Sequence, residues 1–170
     1  MSVALSTRKS SATPSHRRLS KKRSVPSSQA GGIVNFCVAG SKAPPDRLSS
    51  ETLIQELEKG LPFAELEALR DTLGISMELL ARRVGISRPT LHRRKGLGRL
   101  TSDESDRLVR FARLMGMAVH ALGSADHARE WLAAPQYGLG GAIPLDYART
   151  EIGAREVEDL LGRIEHGVYS

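Results

Sequence analysis

Ser76-Met77-Glu78-Leu79-Leu80-Ala81-Arg82-Arg83-Val84-Gly85-Ile86-Ser87-Arg88-Pro89-Thr90-Leu91-His92-Arg93-Arg94-Lys95 is the stretch on which the fold turns. Two short helices that meet at a tight angle need particular residues. Ala81 is small enough to face the crossing. Gly85 can take the positive φ that ends the first helix. Ile86 is the apolar plug of the corner, Ser87 can cap the second helix, and Leu91 pins that helix to the core. The spacing predicts a helix-turn-helix. The local charge agrees with it. Between Leu79 and Ser102 there is no acid and there are seven bases: Arg82, Arg83, Arg88, Arg93, Arg94, Lys95 and Arg99. Guanidinium groups neutralise phosphates or read guanine bidentately, and Ser87 and Thr90 suit phosphate contacts. Ser87, Arg88, Thr90, Arg93, Arg94 and Lys95 are therefore the candidate DNA-binding residues.

The spacing from Ala81 through Gly85 to Leu91 resembles the Xre/Cro/cI class of helix-turn-helix domains. The resemblance implies a second helix lying in the major groove, its N-terminal residues reaching base edges. One position departs from the class. Three residues after Leu91 it usually has an apolar residue facing the first helix, and here stands Arg94. The recognition helix also reads as short, ending at Gly96. Both features point to weak DNA binding, to binding only within an assembly, or to a helix-turn-helix kept as a dimerisation scaffold.

Upstream, Leu53, Ile54 and Leu57 share one helical face, and Gly60-Leu61-Pro62 stops that helix. Phe63, Leu66, Leu69 and Leu73 follow at spacings of three and four, up to Gly74. Downstream, Thr101-Ser102-Asp103-Glu104 is a capping box. It opens a long helix whose stripe is Leu108, Phe111, Met115, Val119 and Leu122. A short helix follows over 125–133, with Trp131, the only tryptophan, as a core anchor. Pro135 to Gly141 reads as a loop with three glycines. Pro144 starts one turn of helix, and Thr150-Glu151 caps a last helix with a stripe of Val157, Leu160, Leu161 and Ile164. Short links between these elements fit compact all-α packing.

Composition agrees. Hydrophobic residues make up 40% of the 170, but aromatics only 4%. Such a core is built from Leu, Ile, Val, Ala and Met, which helices accept more easily than sandwiches do. The single cysteine, Cys37, allows no internal disulfide, no run of apolar residues is long enough to span a membrane, and a cytoplasmic protein is the plain reading. The net charge of +6 is unevenly placed. Residues 1–50 hold nine Lys or Arg against Asp46, a balance of +8, which leaves 16 bases and 18 acids for the rest. Residues 1–47 read as a disordered basic arm, either solvated or DNA-contacting. Its start has no apolar signal region but mimics an organelle transit peptide. Ile33-Val34-Asn35-Phe36-Cys37-Val38 interrupts the arm as a lone strand or docking segment.

Leu139-Gly140-Gly141-Ala142-Ile143-Pro144-Leu145, Thr150-Glu151-Ile152-Gly153-Ala154 and Gly162-Arg163-Ile164-Glu165-His166-Gly167-Val168-Tyr169-Ser170 closely resemble the toxin-binding domain of the Xre/MbcA/ParS antitoxin family. The resemblance covers about residues 50–170. It implies a helix-turn-helix DNA-binding domain over 48–100 and a helical dimerisation and toxin-binding domain over 101–170. It further implies a RES-domain toxin as partner, one that consumes NAD⁺ or a related substrate. The antitoxin's C-terminal region would block that toxin's active site, and the helix-turn-helix would repress the operon as a homodimer on operator DNA. The antitoxin itself would carry no catalysis and need no cofactor. The residues are compatible. From Pro144 onward there are six acids and three arginines, and an acidic plug complements a basic, dinucleotide-binding cleft. A chain ending in Gly167-Val168-Tyr169-Ser170 with a free carboxylate suits insertion into a pocket. Glu151, Arg155, Glu158, Arg163, Glu165, Tyr169 and Ser170 are the candidate toxin-binding residues. The plainer alternative is a charged, solvent-facing helix.

Two other functions compete. An enzyme needs a constellation, and none is legible. Of the five histidines only His120 and His127 stand close, on separate helices with no Cys or paired carboxylate beside them. Gly138, Gly140 and Gly141 follow no strand, and Glu156 and Glu158 face different sides of a helix. A stand-alone helix-turn-helix transcription regulator is the stronger rival. It would carry a pocket-forming sensor domain in place of a short acidic helical end.

Overall fold

A computed structural model describes Met1, residues 32–39 and residues 50–168. Every named element is helical. In chain order these are α1 (Gly32–Ala39), α2 (Ser50–Lys59), α3 (Phe63–Leu73), α4 (Met77–Val84), α5 (Arg88–Leu97), α6 (Ser102–Leu122), α7 (Ala125–Ala133), α8 (Pro144–Tyr147) and α9 (Glu151–Glu165). The expected all-α class is the observed one. No helix among the described residues is long and apolar enough to cross a membrane.

The starts of α4, α5, α7 and α9 follow one rule. A Ser or Thr in extended conformation accepts the amide three residues on: Ser76 from Leu79, Ser87 from Thr90, Ser124 from His127, Thr150 from Gly153. Each cap of this kind contributes on the order of 1 kcal/mol. Thr101 and Glu104 form the reciprocal box, the Thr101 amide donating to Glu104 Oε2 at 2.8 Å. Between α4 and α5, Gly85 stands at φ 78. The Ile86 amide reaches back to the Ala81 carbonyl at 2.7 Å and the Gly85 amide to that of Arg82 at 3.2 Å. That double bond pattern closes a helix only through a left-handed residue. Ala81 and Ile86 are buried at the corner, and Leu91 packs against the core half-buried. The second helix runs through Gly96 to Leu97 and closes at Gly98, two residues beyond the stop that the sequence suggests. Glycine inside an exposed helix costs about 1 kcal/mol, which the N-terminal cap offsets.

Helix α6 is the axis of the molecule, touching α1, α2, α3, α4, α7 and α9. Leu108, Phe111, Leu114, Met115 and Ala118 are buried along it, while Val119 and Leu122 are only partly covered. Phe63, Leu66, Leu69 and Leu73 of α3 and Val157, Leu160 and Leu161 of α9 bury as their spacing predicts. Two sequence expectations change. Ile54 is more than half exposed, so the α2 face is carried by Leu53 and Leu57. Trp131 lies half-buried at the edge of the core, and Ala128 and Leu132 hold α7. The three-glycine loop is closed by a bridge between Gln136 and Ala142, with a 3₁₀ turn over Tyr137–Leu139.

The segment read as a lone strand or docking segment is a docked helix. Its β-branched residues favour a strand locally, but tertiary contacts override that preference. Ile33 and Val34 are buried. Glu65 of α3, itself 2% exposed, accepts the amides of Ile33 (3.4 Å) and Val34 (3.0 Å). A carboxylate from another helix thus supplies the acceptor that the N-terminus of α1 needs. On the other side α1 lies so close to α6 that a methyl group at Gly116 would collide with the Cys37 carbonyl. The rest of the expected disordered arm, 2–31 and 40–47, lies outside the described residues.

Gly116→Ala tests this docking by its sign. In an undocked α6 the change should stabilise by up to about 1 kcal/mol through helix propensity. With α1 seated it should destabilise by about 1–3 kcal/mol, read as the denaturation midpoint. Glu104 gives a second test. Burial pushes its carboxyl up, but the Thr101 amide and the Arg94 guanidinium outweigh burial and hold it below the usual carboxylate range. A depressed native pKa adds stability that is present at neutral pH and fades as pH falls through the carboxylate range toward that lower value. Glu104→Gln should cost about 1–3 kcal/mol at pH 7, and its deficit against the parent should shrink toward pH 3. A constant deficit would assign the loss to packing alone.

Candidate functional site

Seven bases surround the helix-turn-helix, and the structure divides them. Three turn inward. Arg94 Nε meets Glu104 Oε2 at 2.7 Å, with 15% and 7% of the two side chains exposed. This salt bridge fills the position where the sequence suggested an apolar residue was missing. Arg99 donates to the Gly60 carbonyl through Nε and Nη2. Arg83 is 7% exposed and its Nε meets Asp146 Oδ1 at 2.8 Å. Arg82, Arg88, Arg93 and Lys95 remain exposed.

Helix α5 buries none of its residues fully. Ser87 Oγ and Thr90 Oγ1 share a hydrogen bond of 2.9 Å at its N-terminus. Arg88, His92 and Lys95 line one cleft with Glu67, Arg70 and Glu78 of α3 and α4. His92 was not among the candidates, though its i, i+4 spacing from Arg88 carried the signal. Arg93 is exposed outside that cleft. Of the six candidates, the structure groups Ser87 with Thr90 and Arg88 with Lys95, and turns Arg94 toward α6.

The acids of α9 divide likewise. Glu151 Oε2 meets Arg110 at 3.0 Å, Glu158 meets Arg113 at 2.5 Å, and Glu165 meets His120 at 3.0 Å. Acids seven residues apart therefore pair with successive bases of α6, and the two helices run side by side in the same direction. Arg155, one turn along α9, also reaches Glu151 at 3.3 Å. Its hydrogen bond first, then the charge of Arg110, holds the Glu151 carboxyl below the usual range against slight burial. The outward face of α9 carries Ile152, Arg155, Glu156, Asp159 and Arg163, all exposed. Tyr169 and Ser170 lie outside the described residues.

Sequence reasoning missed the exposed apolar side chains of this half of the chain. Ile152 is 77% exposed, Tyr137 fully so, and Tyr147 and Val168 are open too. Of these, Tyr147 and Ile152 flank the start of α9, and exposed apolar side chains that cluster mark contact surfaces. The signal was Ile152 falling out of phase with the stripe of Val157, Leu160 and Leu161. Among the described residues, no three His, Cys, Asp or Glu come together to hold a metal.

Comparison with known proteins divides the chain at the middle of α6. Residues 52–113 match the Antitoxin Xre-like helix-turn-helix domain. Residues 117–167 match the Antitoxin Xre/MbcA/ParS C-terminal toxin-binding domain. Antitoxin Xre of Photorhabdus laumondii is 46% identical over 71 residues, or 41% of this chain and 48% of that protein. Antitoxin Xre of Yersinia enterocolitica gives the same values. Antitoxin Xre of Pseudomonas putida is 40% identical over 68 residues, or 40% and 43%. The aligned part spans about half the length of these relatives. The chain therefore carries, in order and meeting in one shared helix, the two domains of an Xre-type antitoxin.

Proposed function

We propose that this chain binds and neutralises a RES-domain, NAD-consuming toxin through its C-terminal region and represses its own operon through the helix-turn-helix. The observation that carries the reading is the pairing of the two domains in one chain. On α9 the outward residues Arg155 and Arg163, joined by Tyr147 and Ile152, offer a contact surface of the kind that supplies interface anchors, arginine and tyrosine above all. Tyr169 and Ser170 would extend it into the toxin's active-site cleft. Glu151, Glu158 and Glu165 hold α9 against α6 and so present that face. They join toxin contacts only by exchanging partners.

For DNA, Ser87 and Thr90 open α5 beside Arg88, while Arg93 and Lys95 continue the basic surface. Two chains would pair to set the half-site spacing that a helix-turn-helix dimer requires. The setting is the cytoplasm, where operator and toxin substrate meet. The protein acts by binding and performs no chemistry of its own.

The decisive experiment co-expresses the chain with the product of its neighbouring gene. The neighbour should arrest growth alone, and growth should recover when this chain co-purifies with it. A harmless or unbound neighbour would leave a stand-alone regulator. Arg88→Ala combined with Arg93→Ala should weaken operator binding at least tenfold, since each such contact carries about 1–3 kcal/mol, with growth rescue unchanged. Removing residues 167–170 should do the reverse, and equal rescue by the shortened chain would refute pocket insertion.

A further inference from the structure

At the junction of the two domains lies a cleft of about 390 Å³. Arg83 and Gly85 line it from the end of α4, Arg107 from α6, and Tyr147, Arg149 and Thr150 from the link between α8 and α9. Three guanidinium groups face one carboxylate, Asp146, which is already engaged by Arg83 Nε.

The donors outnumber the acceptors. Arg83 is nine-tenths buried, and its Nη1 is a buried side-chain atom with no hydrogen-bond partner. Leaving a buried charged donor unmade is expensive, so the site is incomplete as it stands. Arg107 gives its Nε to the Asp103 carbonyl at 3.0 Å, and its Nη1 lies over Gly85, 2.9 Å from where a Cβ would stand. Glycine there lets the guanidinium approach the turn. Arg149 is exposed and forms no ion pair among the described residues. The Thr150 oxygen accepts the Gly153 amide at 3.1 Å and keeps its own proton to donate.

We infer that this cleft is a binding site for a phosphate oxyanion, held by Arg83, Arg107, Arg149 and the Thr150 hydroxyl. Three arginines and a hydroxyl match the charge and the several acceptor oxygens of a phosphate. The position favours a backbone phosphate of duplex DNA. Gly85-Ile86-Ser87 is the turn that leads into α5, and the N-terminal end of the recognition helix is the end presented to the duplex. A phosphate there would contact Arg83 from the helix-turn-helix and Arg149 from the C-terminal domain together. Free inorganic phosphate offers the same chemistry. The DNA arm rests on the DNA-binding reading given above, and the phosphate arm does not.

The test uses the full chain. Inorganic phosphate is titrated at constant ionic strength set with chloride, and amide chemical shifts are followed. The amides of Gly85, Tyr147 and Thr150 should move together, and Arg149→Gln should weaken the effect about tenfold, the loss expected for one charged hydrogen-bonded contact. In parallel, operator-length duplex should bind Arg149→Gln about tenfold more weakly, with the salt slope reduced by about one. Lys59→Gln, a charge change outside the lining of the cleft, should leave both readouts unchanged. Phosphate binding without a DNA effect assigns the site to free phosphate. A DNA effect without a phosphate response assigns it to the duplex backbone alone. If phosphate moves none of these amides and Arg149→Gln keeps parental DNA affinity and slope, the site does not exist. If no duplex binds the parent chain, the helix-turn-helix reading fails, and the phosphate titration still decides the cleft.

Discussion

One carboxylate fixes how the recognition helix sits on the rest of the molecule. Glu104 takes the Thr101 amide at 2.8 Å and the Arg94 guanidinium at 2.7 Å through the same oxygen. The first bond starts α6, and the second holds the far end of α5 against that start. An apolar residue at 94 would have made the same junction by burial. A salt bridge makes it directionally, because a guanidinium bound to a carboxylate has far fewer acceptable orientations than two packed alkyl groups. The cost is desolvation of both charges, which the bridge and the capping amide offset. Everything that α5 presents to solvent inherits its angle from this junction.

A second set of side-chain pairs gives the other end of the molecule its geometry. Arg110, Arg113 and His120 hold Glu151, Glu158 and Glu165. Exposed pairs of this kind contribute little each, about 0–1 kcal/mol, so the apolar contacts of Val157, Leu160 and Leu161 stabilise the α6–α9 interface. The polar pairs instead select register. Helix α9 could slide or rotate on an apolar stripe at small cost, whereas three matched pairs define one alignment. The outward face is then left with Ile152, Arg155, Glu156, Asp159 and Arg163, a mixed surface suited to a partner.

The fold was legible wherever its determinants were local. Ser76, Ser87, Thr101 and Thr150 each announce a helix by a hydroxyl three residues ahead of a free amide. Gly74 and Gly85 announce an end. What escaped the sequence was non-local. Nothing within reach of Ile33 suggests that an acid 32 residues away will cap it. Arg94 looked like a DNA contact because its partner lies beyond the next turn, and the acids of α9 looked free because their bases lie on α6. Charge counts predict a basic or acidic surface only after internal pairs are removed. In this chain that removal takes Arg83 and Arg94 from the basic side and Glu151 and Glu158 from the acidic side. The exposed Ile152 and Tyr147 escaped for the opposite reason, because pattern reading assigns apolar residues to cores by default.

The seat of α1 bears on where this molecule can be divided. Residues 32–39 precede both family-matched segments, yet Glu65 and Gly116 are shaped around them. Glu65 is a buried acid whose amide donors come from α1, and Gly116 is a gap in α6 that Cys37 occupies. A chain trimmed to the two family-matched segments would keep the acid without its donors and the notch without its filler. Two domains by sequence match are therefore three interlocking pieces by packing. The smallest piece behaves as a keystone, inserted against the helix that both larger pieces share.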